Sequence, residues 1–128
     1  MEYLYPSDCG NAPKKVVLKD LIEAFAKNDR EVIEKFCRKD VSWNIINDIS
    51  VQGVDAIINV LETKWPEEIE KLQLLNVITH GHTAAANGTA SFTNGTTLAF
   101  CNVYKFVSPG KNLIKEMTSY VIKMDKTS

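Results

Sequence analysis

Residues 82–107 read HTAAANGTASFTNGTTLAFCNVYKFV, two stretches with the residue preferences of β-strands on either side of Asn94-Gly95. Asn-Gly is a strong hairpin signal, because a two-residue type I′ turn needs positive φ at both central positions. The pattern predicts an antiparallel pair of strands, His82 to Thr93 and Thr96 to Val107.

Strand patterns continue on both sides of this hairpin. Leu72 to His80 precedes it across Gly81, and Leu113 to Met124 follows it across the loop Ser108-Pro109-Gly110-Lys111. Strands joined by such short connections pair in antiparallel fashion. The second half of the chain is therefore predicted to form an antiparallel sheet.

The first half of the chain carries helical periodicity instead. Apolar residues recur every three or four positions from Lys14 to Asn28, and Pro13 is well placed to open this helix. Asp29 is a suitable N-cap for a shorter second helix that ends near Lys39-Asp40. Helices first and strands afterwards indicate an α+β domain.

A β-rich stretch, Val41 to Ile49, separates the second helix from a third one. The third helix follows Gly53, ends at Pro66, and leads into an acidic run, Glu67-Glu68-Ile69-Glu70. Residues 1–13 contain two prolines and one glycine without an apolar period, so they are expected to be an irregular arm. We expect one domain over residues 14–125 and a short tail over 126–128.

The composition of the chain argues against binding to nucleic acid or to membranes. The 128 residues carry 15 basic and 16 acidic side chains, so no net field attracts nucleic acid or an anionic membrane. The N-terminus lacks the basic start and apolar run of a secretory signal, and charges interrupt every apolar stretch before it reaches a membrane span. We expect a cytoplasmic protein with neither nucleic-acid nor membrane partners.

The three cysteines are widely spaced and odd in number, which suits neither a disulfide framework nor a zinc knuckle. Cys37 and Cys101 are expected in the core and Cys9 in the exposed arm. His80 and His82 flank Gly81 in a turn and lack an evident third metal ligand. We expect no metal and no cofactor.

Candidate functional residues come from the alternation of the last two strands. One face of the strand Thr96 to Val107 is bulky and apolar except for Asn102, and the strand Leu113 to Met124 has a mostly apolar face with Glu116 as its charge. Symmetric pairing across the Pro109-Gly110 loop would place these facing residues opposite each other: Tyr104 with Glu116, Asn102 with Thr118, and Phe100 with Tyr120.

A carboxyl group on an apolar, concave surface is a functional candidate, because such surroundings alter its proton affinity. Glu116 would then share one surface with Asn102 and Tyr120. The alternative is structural: Glu116 hydrogen-bonds Tyr104, or lies at the hydrated end of the sheet.

The order of these parts resembles the nuclear transport factor 2-like (NTF2-like) superfamily, which includes SnoaL-like polyketide cyclases and ketosteroid isomerases. The resemblance covers about Lys14 to Met124 and depends on four pieces taken in order: Lys27-Asn28-Asp29 after an apolar helix, Phe36 to Trp43, Gly53 to Ile57, and Tyr104 to Tyr120. It implies a cystatin-like cone, with N-terminal helices packed on a strongly curved antiparallel sheet around a pocket, often in a homodimer.

The same resemblance argues against ketosteroid isomerase chemistry. Aligned without gaps through the first two helices, the isomerases' catalytic base falls at Ile45 and their first-helix tyrosine at Leu21. Neither side chain can transfer a proton or polarise a carbonyl group. Their oxyanion-binding aspartic acid falls at Asn102, which can still donate a hydrogen bond to a ligand oxygen.

Three functions stay open from the sequence. The first is binding of a small apolar molecule in a pocket walled by Trp43, Ile45, Phe100 and Tyr104 and oriented by Asn102, Glu116 and Tyr120. The second is an isomerase, cyclase or dehydratase that uses Glu116 as acid or base and Asn102 to steady an oxyanion. The third is a structural role, in which the open face of the sheet mediates dimerisation or contact with another protein.

Overall fold

A computed structural model describes residues 1–10 and 12–125. Three α-helices, α1 (Pro13–Lys27), α2 (Arg30–Phe36) and α3 (Val54–Lys64), pack on one curved sheet. Its seven strands are β1 (Glu2–Leu4), β2 (Cys37–Ile45), β3 (Ser50–Gln52), β4 (Ile69–His80), β5 (Thr83–Phe92), β6 (Thr97–Phe106) and β7 (Ile114–Lys123). The predicted α+β class, with the helices preceding the main strands, is confirmed.

The sheet is mixed: the four strands of the second half of the chain are antiparallel, as predicted, and parallel pairs that the sequence did not indicate lie at both sides of them. In the order β1-β4-β5-β6-β7-β2-β3, the long strands β4 to β7 are antiparallel, while β1 pairs with β4 and β2 pairs with β7 in parallel. Parallel neighbours need a long connection. Turn residues predict pairing only between strands that follow each other in the sequence. The two parallel pairs could not be predicted in this way, because their partners lie far apart in the chain.

The first residues are ordered structure and not the irregular arm expected from the prolines. Glu2–Leu4 forms β1, and Ser7–Gly10 forms a 3₁₀-helix. The Tyr3 hydroxyl donates a hydrogen bond of 2.7 Å to the carbonyl oxygen of Lys19 on α1. Cys9, expected to be exposed, is buried in the core.

Helix boundaries follow the capping chemistry. Pro13 is the first residue of α1, and Asn28 ends that helix with a left-handed conformation at φ 55°. The Asp29 side chain accepts a hydrogen bond from the backbone N–H of Val32 and caps α2, as predicted. The end predicted near Lys39-Asp40 is wrong, because the chain becomes extended at Cys37 and begins β2 there.

The hairpin between β5 and β6 has a three-residue loop in place of the predicted two-residue turn. The backbone N–H of Phe92 donates to the carbonyl of Thr96 at 2.8 Å, and the N–H of Gly95 donates to the carbonyl of Phe92 at 3.0 Å. Gly95 has a φ of 89°, whereas Asn94 does not have positive φ. A three-residue loop of this kind needs glycine only at its last position.

Gly88 on β5 pairs with Leu74 of β4 and with Phe100 of β6. A Cβ atom at Gly88 would overlap the carbonyl oxygen of Gln73 and would lie 3.0 Å from the Cζ atom of Phe100. The β4 partner strand is irregular between Leu74 and Asn76, next to this glycine. Irregular pairing of this kind bends a strand, so the absence of a side chain lets β4, β5 and the Phe100 ring meet closely.

No helix in the described part of the chain is long and apolar enough to cross a bilayer.

Candidate ligand-binding site

A cavity of about 390 Å³ lies between the helices and the concave face of the sheet. This is within the usual size range of small-molecule sites. The residues that line it are mostly apolar or aromatic, with polar groups at its two ends: Ile22, Phe25, Ala26, Lys27, Asn28, Trp43, Leu61, Glu62, Trp65, Pro66, Glu67, Glu68, Ile69, Leu72, Ala90, Phe92, Leu98, Phe100, Asn102, Tyr104, Ser119 and Val121.

Three aromatic side chains form one wall. The rings of Phe25 and Trp43 meet edge to face with their centroids 5.1 Å apart, and Trp65 lies 6.2 Å from Trp43. Offset and edge-to-face contacts of this kind hold large rings in defined positions. The wall is therefore held by its own packing before any ligand enters.

The deep end of the cavity carries neutral hydrogen-bonding groups. The Trp43 indole N–H donates to the Ser119 hydroxyl at 2.8 Å, and the Asn102 side-chain amide donates to the Tyr104 hydroxyl at 2.9 Å. Asn102 and Ser119 are direct cross-strand partners on β6 and β7. The strand pairing thus brings four polar groups from β2, β6 and β7 to one place.

Two hydroxyl hydrogens at this end are free for a ligand. The hydroxyl oxygens of Tyr104 and Ser119 accept the bonds just described, and neither hydroxyl donates to another residue in the described chain. Both side chains are almost fully buried, at 2% and 4% exposure. A ligand oxygen placed between them would meet donors already desolvated and in position.

Burial raises the pKa of the Tyr104 hydroxyl, although the hydrogen bond from Asn102 acts in the opposite direction. If the Tyr104 hydroxyl ionised, the cost of removing the negative charge from water would exceed the stabilisation from the Asn102 hydrogen bond. The deep end favours a neutral acceptor, such as a carbonyl oxygen, over an anion.

The open end of the cavity is charged. Glu62, Glu67 and Glu68 line it together with Lys27. Lys27 forms an ion pair of 3.3 Å with Glu23, and Glu62 accepts a hydrogen bond of 3.3 Å from the Asn28 amide. The two ends of the cavity thus differ, because one is neutral and buried and the other is charged and hydrated.

The cross-strand pairs expected from the sequence are wrong by one residue over most of β7. Phe106 pairs with Ile114, which agrees with symmetric pairing, but Lys105 pairs with Glu116 because a bulge at Lys115 shifts the register. A one-residue shift moves every following side chain to the opposite face of the sheet.

Glu116 and Tyr120 consequently lie on the outer face of the sheet and are exposed. Neither lines the cavity. Ile45 is buried in the core and does not line the cavity either. The structure therefore separates Glu116 from Asn102, contrary to the shared surface inferred from the sequence.

The other residues expected at the pocket do come together. Trp43, Phe100, Asn102 and Tyr104 all line the cavity. Sequence reasoning missed Ser119, because it assigned this residue to the opposite face. One signal was present: Lys115 and Glu116 are adjacent charges in an alternating strand, and such a break in alternation is typical of a bulge.

The cysteines and histidines lie outside the cavity. Cys37 is buried as expected, and burial raises the pKa of its thiol to about 12. Cys101, expected in the core, is exposed on the outer face. His80 and His82 are exposed, and no group of three metal-ligating side chains forms within residues 1–10 and 12–125.

Solved structures share this architecture. The chain is similar to an NTF2-like protein of unknown function from Burkholderia xenovorans LB400, with a TM-score of 0.73, 12% identity, and coverage of 90% of this chain and 87% of that one. It is also similar to an LEH-like epoxide hydrolase from M. tuberculosis, with a TM-score of 0.66, 11% identity, and coverage of 83% and 80%.

A third similar structure is an uncharacterised bacterial protein with a cystatin-like fold from Silicibacter pomeroyi DSS-3. It has a TM-score of 0.66, 14% identity, and coverage of 83% of this chain and 73% of that one. No protein-family model matches the sequence, and no curated protein matches it. The chain has the NTF2-like, cystatin-like fold, as its sequence predicted, and proteins with this fold differ in function.

Proposed function

We propose that this protein binds a compact, mainly apolar small molecule in the cavity between the helices and the sheet. The observation that carries this proposal is the combination of an aromatic-walled space of about 390 Å³ with buried, unused hydroxyl donors at its deep end. Apolar walls with a few convergent polar groups are the usual composition of a small-molecule site.

The geometry favours binding over acid–base catalysis. Glu116, the acid or base of the enzymatic alternative, points away from the cavity. The carboxylates among the described lining residues, Glu62, Glu67 and Glu68, lie at its mouth and are exposed. A general base must reach the proton that it removes, and the deep end offers an amide and neutral hydroxyl groups.

Native mass spectrometry tests the proposal, followed by extraction and identification of any retained molecule. The variant Val121→Trp places an indole in the cavity, and Leu75→Trp adds the same group at an exposed position outside it. Retention by the wild type and by Leu75→Trp, but not by Val121→Trp, supports the proposal. Equal retention by both variants contradicts it.

A second proposal concerns the homodimer expected from the fold. The outer face of the sheet exposes Ile78 at 64%, Tyr120 at 48% and Ile122 at 68%, with Cys101 beside Tyr120. Exposed apolar groups grouped on one sheet face favour self-association, and a second copy would cover them.

Sedimentation equilibrium tests this dimer. Ile122→Asp should shift the protein to monomer, whereas Ile49→Asp, at another exposed apolar position, should leave the mass unchanged. A wild type that remains monomeric at high micromolar concentration would end the proposal.

We also infer a cytoplasmic location, since none of the three cysteines is paired. Free thiols are typical of a reducing compartment. Fluorescent tagging and fractionation of the host cell would check this location, and recovery with secreted protein would contradict it.

A further inference from the structure

Two glutamates of the acidic run that follows α3, Glu67 and Glu68, lie at the mouth of the cavity. Glu67 and Glu68 line the mouth together with Glu62 from the last turn of α3, and we call these three residues the acidic rim. Pro66 precedes the run, and the backbone N–H of Thr93 donates to the Glu68 carbonyl at 2.9 Å, so the rim is tied to the end of β5.

The helices add to the negative potential of the rim. Lys27 and Asn28 at the end of α1, and Glu62 and Trp65 at the end of α3, all line the cavity. Both helices therefore direct their C-terminal ends toward it. A helix C-terminus carries partial negative charge and favours a cation nearby.

The nearby ammonium groups already have partners. Lys27 pairs with Glu23, and Lys64 at the end of α3 pairs with Asp48. Glu67 and Glu68 form no ion pair with any residue of the described chain. The positive charges at the mouth are thus compensated, while the carboxylates of the loop remain available.

The deep end of the same cavity shows which way a ligand would lie. The Tyr104 hydroxyl is 2% exposed and has no acceptor for its hydrogen within the described residues, and the deep end disfavours negative charge. A polar but uncharged group fits there, and a charged group fits at the hydrated mouth.

We propose that the ligand is an amphiphile with a neutral oxygen acceptor at its buried end and a cationic amine at the mouth, and that the acidic rim discriminates against carboxylates of the same shape. This inference depends on the proposed binding function. It adds the charge class and the orientation of the ligand, which the apolar walls alone do not specify.

A matched set of naphthalene probes tests the inference. All carry an acetyl group at one end, and the other end is methyl, aminomethyl or carboxylate. Isothermal titration at about 10 mM salt should show the amine binding at least about threefold more tightly than the carboxylate. The expected ratio is modest because each exposed charge pair contributes little free energy. Low salt is used because it screens these charges only weakly. The ratio should fall toward one at about 1 M salt.

Substitutions in the acidic rim test whether its carboxylates cause the preference for the amine. In Glu67→Gln/Glu68→Gln the ratio of amine affinity to carboxylate affinity should fall toward one, with the methyl probe measured on the same variant as the uncharged reference. The control Glu31→Gln/Glu70→Gln removes two exposed carboxylates that do not line the cavity, and it should keep the wild-type preference.

The methyl probe separates the two proposals. If it binds and the carboxylate binds as tightly as the amine, or if the rim variant keeps the full preference, the charge inference is overturned and the binding function stands. If no probe binds the folded wild type, the binding proposal fails for this ligand class and the charge inference fails with it.

Discussion

Asn102 donates its side-chain amide hydrogen to the hydroxyl of Tyr104, two residues further along β6, at 2.9 Å. Residues two apart on a strand share a face, so both side chains point into the cavity from the same strand. The bond orients the Tyr104 oxygen and leaves its hydrogen for a ligand. This pair is the first target for mutation.

Replacing Tyr104 with Phe removes the spare donor and keeps the ring. We expect the acetyl-bearing methyl probe to bind about two- to twelvefold more weakly, since a hydrogen bond contributes about 0.5–1.5 kcal/mol. Titration calorimetry measures the change. A probe with ethyl in place of acetyl should bind the variant and the wild type equally, and a loss of that probe as well would point to disturbed packing.

Replacing Ser119 with Ala leaves the buried indole N–H of Trp43 without its acceptor. An unsatisfied buried donor costs about 1–3 kcal/mol, so the free energy of unfolding should fall by that amount. Urea denaturation measures it. Thr118→Ala, the neighbouring change on the outer face, should cost less than about 0.5 kcal/mol, and equal losses in both variants would argue against a special role for Ser119.

Replacing Gly88 with Ala forces a methyl group against the Gln73 carbonyl oxygen and the Phe100 ring. The backbone of β4 must move, and we expect a loss of at least about 2 kcal/mol in unfolding free energy, as for overpacked cores. Gly10→Ala is the control, because nothing lies within 4 Å of a Cβ atom there. A stable, unshifted Gly88→Ala variant would contradict the close approach.

Both tryptophans of the chain, Trp43 and Trp65, line the cavity. Filling the cavity with an apolar probe should therefore change the intrinsic fluorescence, with a saturable curve that matches calorimetry. Trp65→Phe should reduce the signal and leave the remaining change to Trp43. Binding detected by calorimetry without any change in emission would place the probe elsewhere.

Cys37 gives a pH-dependent prediction. Burial raises its pKa from 9.0 to about 12, so the folded state keeps the thiol neutral while the unfolded chain ionises. This contribution to stability is complete below pH 9 and is lost as the pH rises from about 9 to 12. The wild type should lose about 1.4 kcal/mol per pH unit more than Cys37→Ala between about pH 10 and 11, where the unfolded thiol is ionised and the folded one is not. Parallel curves would refute the prediction.

Much of the fold could be predicted from local sequence signals. The Pro13 start, the Asp29 cap and the helix after Gly53 depend on residues within a few positions of each other, and the structure confirms them. The four long strands were also correct in order, since Gly81, Gly95 and Pro109-Gly110 separate them. These features are local, and local chemistry is what a sequence displays directly.

Four of the seven residues that the sequence predicted at the pocket line the cavity, and Ile45, one of the other three, is buried in the core. Trp43, Phe100, Asn102 and Tyr104 were expected at the pocket and line it. Glu116 and Tyr120 were expected there and lie outside, because the bulge at Lys115 shifts the pairing of β7 by one residue.

The sequence by itself therefore determined the helices, the long strands and the alternating apolar faces, because periodicity and capping operate over a few residues. Only the tertiary structure decided the parallel pairs β1–β4 and β2–β7, the register of β7 and the place of Glu67 and Glu68 at the mouth of the cavity. Each of these depends on contacts between residues far apart in the chain. In a sheet, a shift of one residue in the pairing of two strands moves each side chain from the inner face to the outer one.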